Sequence, residues 1–295
     1  MRNDTLFLTF VLPSDLPAAR LMIASLRAFG GELAGAPMWV FSTQPEQIAS
    51  LEDQDTRLHL LGPMPASPCL FAEKVAACAR AEELVPAGTR SLVWIDPGCL
   101  VVQPPLGFAL GSECDAAFRP VHVRNVGLPP SEPLDPFWQG ICRAVGVEDI
   151  HSRVTSFVDG QVLRSYFNSH AFAINPALGL LRGWQERFRL LIDDRSFQAA
   201  ACADDLHQIF LFQALLSALV VRSIEPARFR LLPPTYNYPC HLQARVPAER
   251  RITALNDLVC FAYEELDPGS LAGFEVHDPL RAWLAEQAQA RQEQP

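Results

Sequence analysis

The sequence predicts an α/β protein built on a mostly parallel, doubly wound sheet with flanking helices. Two observations predict it. Apolar runs of strand length alternate with runs of helical length through residues 5–95, the pattern of parallel strands joined by crossover helices. The apolar run Arg90 to Ile95 then ends on Asp96 and breaks at Pro97-Gly98 before a second apolar run begins. A carboxylate at the C-terminal tip of a central strand stands where open α/β sheets bind ligands.

Each element has its own signal. Thr5 to Leu12 is rich in β-formers and ends at Pro13-Ser14-Asp15, so it reads as the first strand. Leu16 to Phe29 carries apolar residues at helical spacing, and Gly30-Gly31 stops that helix. Met38 to Phe41 is a short buried strand, Pro45 to Leu51 helical, Arg57 to Leu61 a third strand, and Leu70 to Leu84 an alanine-rich helix. Farther on, Asp115 to Pro120 reads as a strand, Pro129 to Pro136 as a surface loop and Phe137 to Val145 as a helix. Val154 to Asp159 and Gln161 to Tyr166 form a hairpin around Asp159-Gly160. Ala171 to Ile174 is a strand closed by Asn175-Pro176. Helices follow at Leu178 to Ile192 and Asp204 to Leu219. Arg230 to Leu232 leads into an extended segment, Pro233 to Pro239, and Leu258 to Tyr263 is a late strand. Residues 285–295 are polar and read as a frayed tail. No linker or repeat divides the chain. It is expected to be one domain over residues 1–295, with a nucleotide-binding half at 1–104, a donor/acceptor half at 105–284 and the polar tail.

Composition narrows the function. At 295 residues, 49% apolar and 19% charged, the chain has ample material for a core. A net charge of −9 without a Lys/Arg stripe argues against nucleic acid as the main partner. The longest apolar stretch, Ile209 to Val221, is too short for a membrane span and is interrupted by Gln213 and Ser217, so it reads as a buried helix. Eight scattered cysteines form no CxxC pair and no zinc-like cluster, which suits a reduced, cytoplasmic setting.

Several segments, in order, resemble nucleotide-diphospho-sugar glycosyltransferases of the GT-A fold, family-eight-like. The Lys74 helix and the Trp94–Val102 strand pair resemble that group's lysine helix and Asp-X-Asp strand. Tyr166 to Pro176 resembles its "yfNsGvfvinp" strand, Asp205-Leu206-His207-Gln208 the "DQ" that opens a late helix, and Leu232 to Asn237 the "Lpp.yN" strand. The resemblance covers roughly residues 5–265 and implies transfer of a hexose from a nucleoside diphosphate sugar to a hydroxyl acceptor.

It also implies site residues. Asp96 is placed on the ribose and on a divalent cation, Mn2+ or Mg2+; the alternative is a turn aspartate capping the break before Pro97. Gly98 stands where the family has its second aspartate, so the Asp-X-Asp motif is degenerate and one metal ligand is missing. The family's late histidine has no counterpart in Val259 to Glu265; His241 is the nearest upstream candidate, and reads rather as a partly exposed loop histidine. Lys74 lies near a helix start, against the favourable sense of the helix dipole, and so calls for a partner: phosphates, or an acid such as Glu73. Asn168, Ser169 and His170 are implied to face donor sugar or acceptor, with His170 in place of the usual glycine. Ser14 and Asp15 offer loop amides to the nucleotide. Asp204 and Asp205 open a helix, where capping accounts for one of them. Asp205 is the candidate catalytic carboxylate, and Gln208, one turn on, faces the sugar hydroxyls.

Three functions follow. The first is a hexosyltransferase, metal-independent if Lys74 and His170 neutralise the leaving diphosphate. The second is a GT-A-fold binding or scaffold protein without turnover, favoured by Gly98 and the missing late histidine. The third, a nucleotidyltransferase, ranks last because Pro13 to Pro17 is neither glycine-rich nor basic.

Overall fold

Both faces of the central strands are buried, and the strand pleat sorts their side chains into two cores. The computed structural model describes residues 4–62, 71–263, 271 and 273–292. The chain begins with β1 (Thr5–Phe10), a 3-10 turn at Pro13–Asp15, α1 (Leu16–Phe29), β2 (Met38–Ser42), a 3-10 segment at Pro45–Leu51 and β3 (Thr56–Leu60). Then come α2 (Ala72–Leu84), β4 (Ser91–Ile95), β5 (Cys99–Val101), β6 (Ala116–Pro120) and α3 (Pro136–Val145). A hairpin of β7 (Arg153–Thr155) and β8 (Val162–Arg164) precedes β9 (Phe167–Ile174), α4 (Leu180–Asp193), α5 (Arg195–Ala201) and α6 (Asp205–Ser223). The chain closes with β10 (Phe229–Leu231), β11 (Tyr238–Pro239), β12 (Cys260–Ala262) and α7 (Leu280–Gln292).

Among the described residues the main sheet has the order β10-β6-β9-β4-β1-β2-β3. Only β9 runs against its neighbours, β4 and β6; the other pairings are parallel. A small sheet of β11, β12 and β5 sits beside it. Along β4, Leu92 and Trp94 enter the core shared with α2, α4 and α6, while Val93 and Ile95 enter the core beneath α1. A third apolar cluster joins the small sheet to Leu280 and Leu284 of α7.

α1 spans the expected residues, because its buried Ala19, Met22, Ile23 and Leu26 lie on one face and Gly30 ends it. Four readings change. The expected frayed tail at 285–295 is helical through Gln292: Leu280 and Leu284 dock on the third cluster, and Trp283 packs edge-on to Phe29 at 5.3 Å. Residues 293–295 lie outside the described residues. α5 had no place in the sequence reading; Asp194 caps it by accepting from the Ser196 and Phe197 amides. β9 starts at Phe167, so Asn168 and Ser169 lie within a strand. The Pro233 to Pro239 segment is turned, with Asn237 at φ 48° and the Tyr236 amide donating to the Pro233 carbonyl at 3.0 Å. α6 is long and apolar enough to cross a membrane, but here most of it is buried against β9, α3 and α4.

Ionic fastenings hold the edges. Arg164, 5% exposed, binds Asp149 at 2.7 Å through Nε and donates to the Glu132 carbonyl at 3.0 Å, pinning the proline-rich loop. Asp115 accepts from Arg228 Nη2 at 3.0 Å and from Asn175 Nδ2 at 2.8 Å, tying β10 and β9 to the start of β6. The Arg228 hydrogen bond holds the Asp115 carboxyl below the usual carboxylate range, outweighing burial. Its stabilisation is therefore present above the unfolded-state value of about 3.9 and is lost as pH falls through the lower folded-state value. Asp115→Asn is expected to lower unfolding free energy at neutral pH by about 2 kcal/mol and to flatten the acid limb of the stability profile, as measured by urea titrations at stepped pH.

Candidate functional site

Because β4 alternates, Asp96 continues the face of Leu92 and Trp94 and meets the first turns of α2. Its Oδ1 accepts from Lys74 Nζ at 2.9 Å and from Trp94 Nε1 at 2.7 Å; its Oδ2 lies 3.0 Å from His170 Nδ1. Lys74 also donates to the Ser169 carbonyl at 2.7 Å, and its ammonium sits 4.7 Å from the Trp94 ring centroid and 5.4 Å from that of Phe212. The lysine side chain is 4% exposed and the aspartate 21%. Burial pushes the Asp96 carboxyl up, but Lys74 and then His170 more than offset it, and the net direction is down. The partner Lys74 calls for is Asp96, not Glu73.

This pair stands between two lobes of one cleft, since Phe71, Lys74 and Asp96 line both. The first lobe, about 460 Å3, is bounded by Leu12, Asp15, Glu73, Trp94, Gly98 and Tyr263. The second, about 410 Å3, is bounded by His122, Asn168, His170, Gln213, His241 and Arg245, among others. Phe71 caps the start of α2 at φ 67° and sets its ring 4.6 Å from that of Phe212. A non-glycine residue held in the left-handed region costs of order 1–3 kcal/mol and is typical of ligand sites.

A β-bulge shapes the second lobe. Ala117 of β6 pairs with Ala173 of β9, but Arg119 pairs with Asn168, so β9 carries extra residues between the two pairs. Ser169 Oγ reaches Gln213 Oε1 at 2.9 Å on α6, while Asn168 Oδ1 accepts from the His170 amide at 2.9 Å and from Asn237 Nδ2 at 3.3 Å. With its oxygen so fixed, Asn168 turns Nδ2 to His122 Nε2, 3.1 Å away. His122 therefore accepts at Nε2 and carries its proton on Nδ1, which has no partner among the described residues. Burial, followed by the charges of Arg119 and the neighbouring histidines, pulls His122 well below the ordinary histidine value.

The structure thus brings Lys74, Asp96, Asn168, Ser169 and His170 together, with Asp15 and Gly98 on the wall of the first lobe. Ser14 is exposed and, among the described residues, its hydroxyl donates only to Asp15 Oδ1 at 3.4 Å. Asp205 and Gln208 are not brought there. Asp205 is exposed on the first turn of α6, behind the Asp204 cap, and Gln208 Nε2 donates to the Cys202 carbonyl at 2.8 Å. The polar α6 side chain that does line the cleft, beside Ile209, Phe210 and Phe212, is Gln213, whose isolation in an apolar run is the available signal. His122 was missed; it lies just past the tip of β6, where the same strand-tip rule that marks Asp96 applies. His241, with Arg245, faces the second lobe from a 3-10 segment at Cys240–Arg245.

A divalent cation does not fit these residues. Asp96 spends both oxygens on Lys74, Trp94 and His170, Gly98 has no side-chain oxygen, and among the described residues no three His, Cys, Asp or Glu side chains converge as a metal site would require. The Lys74 ammonium already supplies the positive charge beside Asp96.

No protein-family model and no curated protein sequence matches the chain. Solved structures do. A crystal structure of the galactosyltransferase LgtC, in complex with donor and acceptor sugar analogues, aligns over 99% of this chain and 98% of its own, with a TM-score of 0.53 at 11% identity. A structure of an active-site mutant of LgtC aligns over 97% of this chain and 96% of its own, with a TM-score of 0.53 at 12% identity. Likeness at this level of identity is likeness of fold: the chain has the GT-A architecture, a mostly parallel sheet with flanking helices and an antiparallel insertion.

Proposed function

We propose that the protein is a glycosyltransferase, moving a hexose from a nucleoside diphosphate sugar to a hydroxyl acceptor without a metal ion. The observation that carries this reading is the Lys74–Asp96 pair at the tip of β4, between two lobes of small-molecule size. The fold shared with a galactosyltransferase supports it. The first lobe takes the nucleoside, with Asp15 at its rim. The diphosphate lies over Lys74, where His170, His241 and Arg245 add hydrogen-bond donors as the leaving group gains charge. The sugar and acceptor occupy the second lobe beside Gln213 and the Nδ1 proton of His122. A cytoplasmic setting belongs to the same proposal, supported by the free thiols at Cys78, Cys142 and Cys260.

A binding module without turnover is the second reading. It is favoured by the exposed position of Asp205 and by the engagement of both Asp96 oxygens with protein side chains.

Three outcomes test these readings. With a chelator present, nucleoside diphosphate sugars at a hundredfold excess over Kd are expected to stabilise the protein by about 2.7 kcal/mol, a Tm rise of roughly 5 °C. Lys74→Met is expected to lose most of that rise relative to its own baseline. Binding with no transfer or hydrolysis of the sugar selects the second reading, and a shift seen only with manganese overturns the metal-free one. Gly98 has open space where a Cβ would stand and no left-handed backbone, so Gly98→Asp is tolerated. That variant is expected to make nucleotide binding manganese-responsive in the same thermal-shift assay. Finally, His122 is expected to remain the neutral Nδ1–H tautomer at pH 6.5, where an ordinary histidine is about half protonated, as read by nitrogen-15 NMR. Because its folded-state value is depressed, stability from this residue falls as pH drops below the unfolded value of about 6.5.

A further inference from the structure

A second cavity, of about 670 Å3, opens at the C-terminal ends of β6 and β10 and shares no lining residue with the two lobes of the cleft. Arg119 lines it and is 1% exposed. Its Nη1 donates to the carbonyls of Tyr236 at 2.8 Å and Asn237 at 2.7 Å, and its guanidinium lies 4.4 Å from the Phe157 ring centroid. Its Nη2 has no hydrogen-bond partner among the described residues. Burial pulls the group down to about 9, so it is still charged at neutral pH, and no carboxylate is among the neighbours that offset the burial. A desolvated cation with orphan donors is costly, and native proteins rarely leave one so. Water would satisfy the donors but not the charge.

The rest of the lining says what would. Arg250 brings a second guanidinium, anchored by donation from Nη1 to the Phe157 carbonyl at 3.1 Å. Glu249 is the one acid in the lining, and it is exposed. Pro120, Leu231, Leu232, Pro233 and Pro234 form flat apolar walls, with Leu231 54% exposed. Thr155 adds a hydroxyl at the rim. Two cations over an apolar wall suit an anionic group on a ring with a C–H face, and the volume lies within the range of small-ligand sites.

We propose that this cavity binds an acidic sugar, its anionic group on Arg250 and beside the buried, still charged Arg119 guanidinium, and its ring against the proline-leucine wall. The site does not depend on what the cleft binds.

Calorimetry on the full chain would compare a hexuronate-containing disaccharide, a hexose phosphate, the neutral disaccharide and succinate. At least one acidic sugar is expected to bind tenfold or more tighter than the neutral disaccharide and than succinate, and the stronger of the two identifies carboxylate or phosphate as the anion. Arg250→Ala is expected to weaken that binding at least fivefold and to leave any nucleotide-induced Tm shift unchanged. Arg119→Lys keeps a charge but loses the fork, and is expected to weaken it as well; should that variant fail to fold, Arg250→Ala decides. Equal binding of acidic and neutral sugars, succinate binding as tightly as the sugars, no binding of any acid, or insensitivity to Arg250→Ala overturns the proposal.

Discussion

The candidate site depends on one desolvated ion pair. Strand alternation aims Asp96 at α2, and Lys74 meets it there with its ammonium almost wholly out of water. At this separation the attraction is worth roughly 5 kcal/mol at an effective dielectric of about 20, and desolvation costs several kcal/mol per ion. The two terms are of similar size, so the remaining hydrogen bonds decide the balance. Trp94 Nε1 donates to the carboxylate and the Ser169 carbonyl accepts from the ammonium. Both come from strands β4 and β9, so the pair is stable only while those strands are in register. The same geometry divides the cleft into two lobes.

A second constraint runs through buried polar groups from the second lobe of the cleft toward the other cavity. His122 accepts from Asn168, Asn168 accepts from Asn237, and the Asn237 carbonyl accepts from Arg119. Asn237 Nδ2 also donates to the Ala171 carbonyl at 2.7 Å, filling a backbone acceptor near the bulge of β9. Such a chain of satisfied donors and acceptors fixes side-chain orientation more tightly than apolar packing would. It ends at both extremities in an unsatisfied donor, His122 Nδ1 on the cleft and Arg119 Nη2 at the second cavity. Interior groups of the chain are satisfied and the two terminal atoms are not, although both atoms are buried and it is their residues that line the two cavities.

How far the sequence reveals this arrangement depends on the range of the signal. The α1 helix and the Asp96 strand tip are legible because periodicity and a proline-glycine break are local. Lys74 is legible as needing a partner, because a cation in a first helical turn is a local anomaly, but the choice between Glu73 and Asp96 is tertiary. Asp205 misleads for the same reason. An acid at a helix start carries the same local signature whether it faces a cleft or solvent, and only the packing of α6 on β9 selects Gln213 instead. The α7 helix was read as a tail because its polar residues outnumber the apolar stripe that docks it. The bulge in β9 has no sequence signature at all, since the extra residues become visible only against the register of β6.

The choice between transferase and binding module comes down to the charge the pair can offer. A divalent cation held by two carboxylates exposes its remaining positions to a diphosphate. An ammonium held by one carboxylate is neutralised by it, and a pair of zero net charge attracts an anion weakly. Positive potential in the second lobe must then come from His170, His241 and Arg245, of which only the arginine is charged irrespective of pH. Turnover needs more than this, because the leaving group gains charge as the bond breaks and the site must answer at that moment. Lys74 can answer if Asp96 shifts its weight to Trp94 and His170, which already hold it at 2.7 and 3.0 Å. Turnover therefore requires Trp94 and His170 to hold the carboxylate while the ammonium turns to the phosphates, whereas binding alone does not.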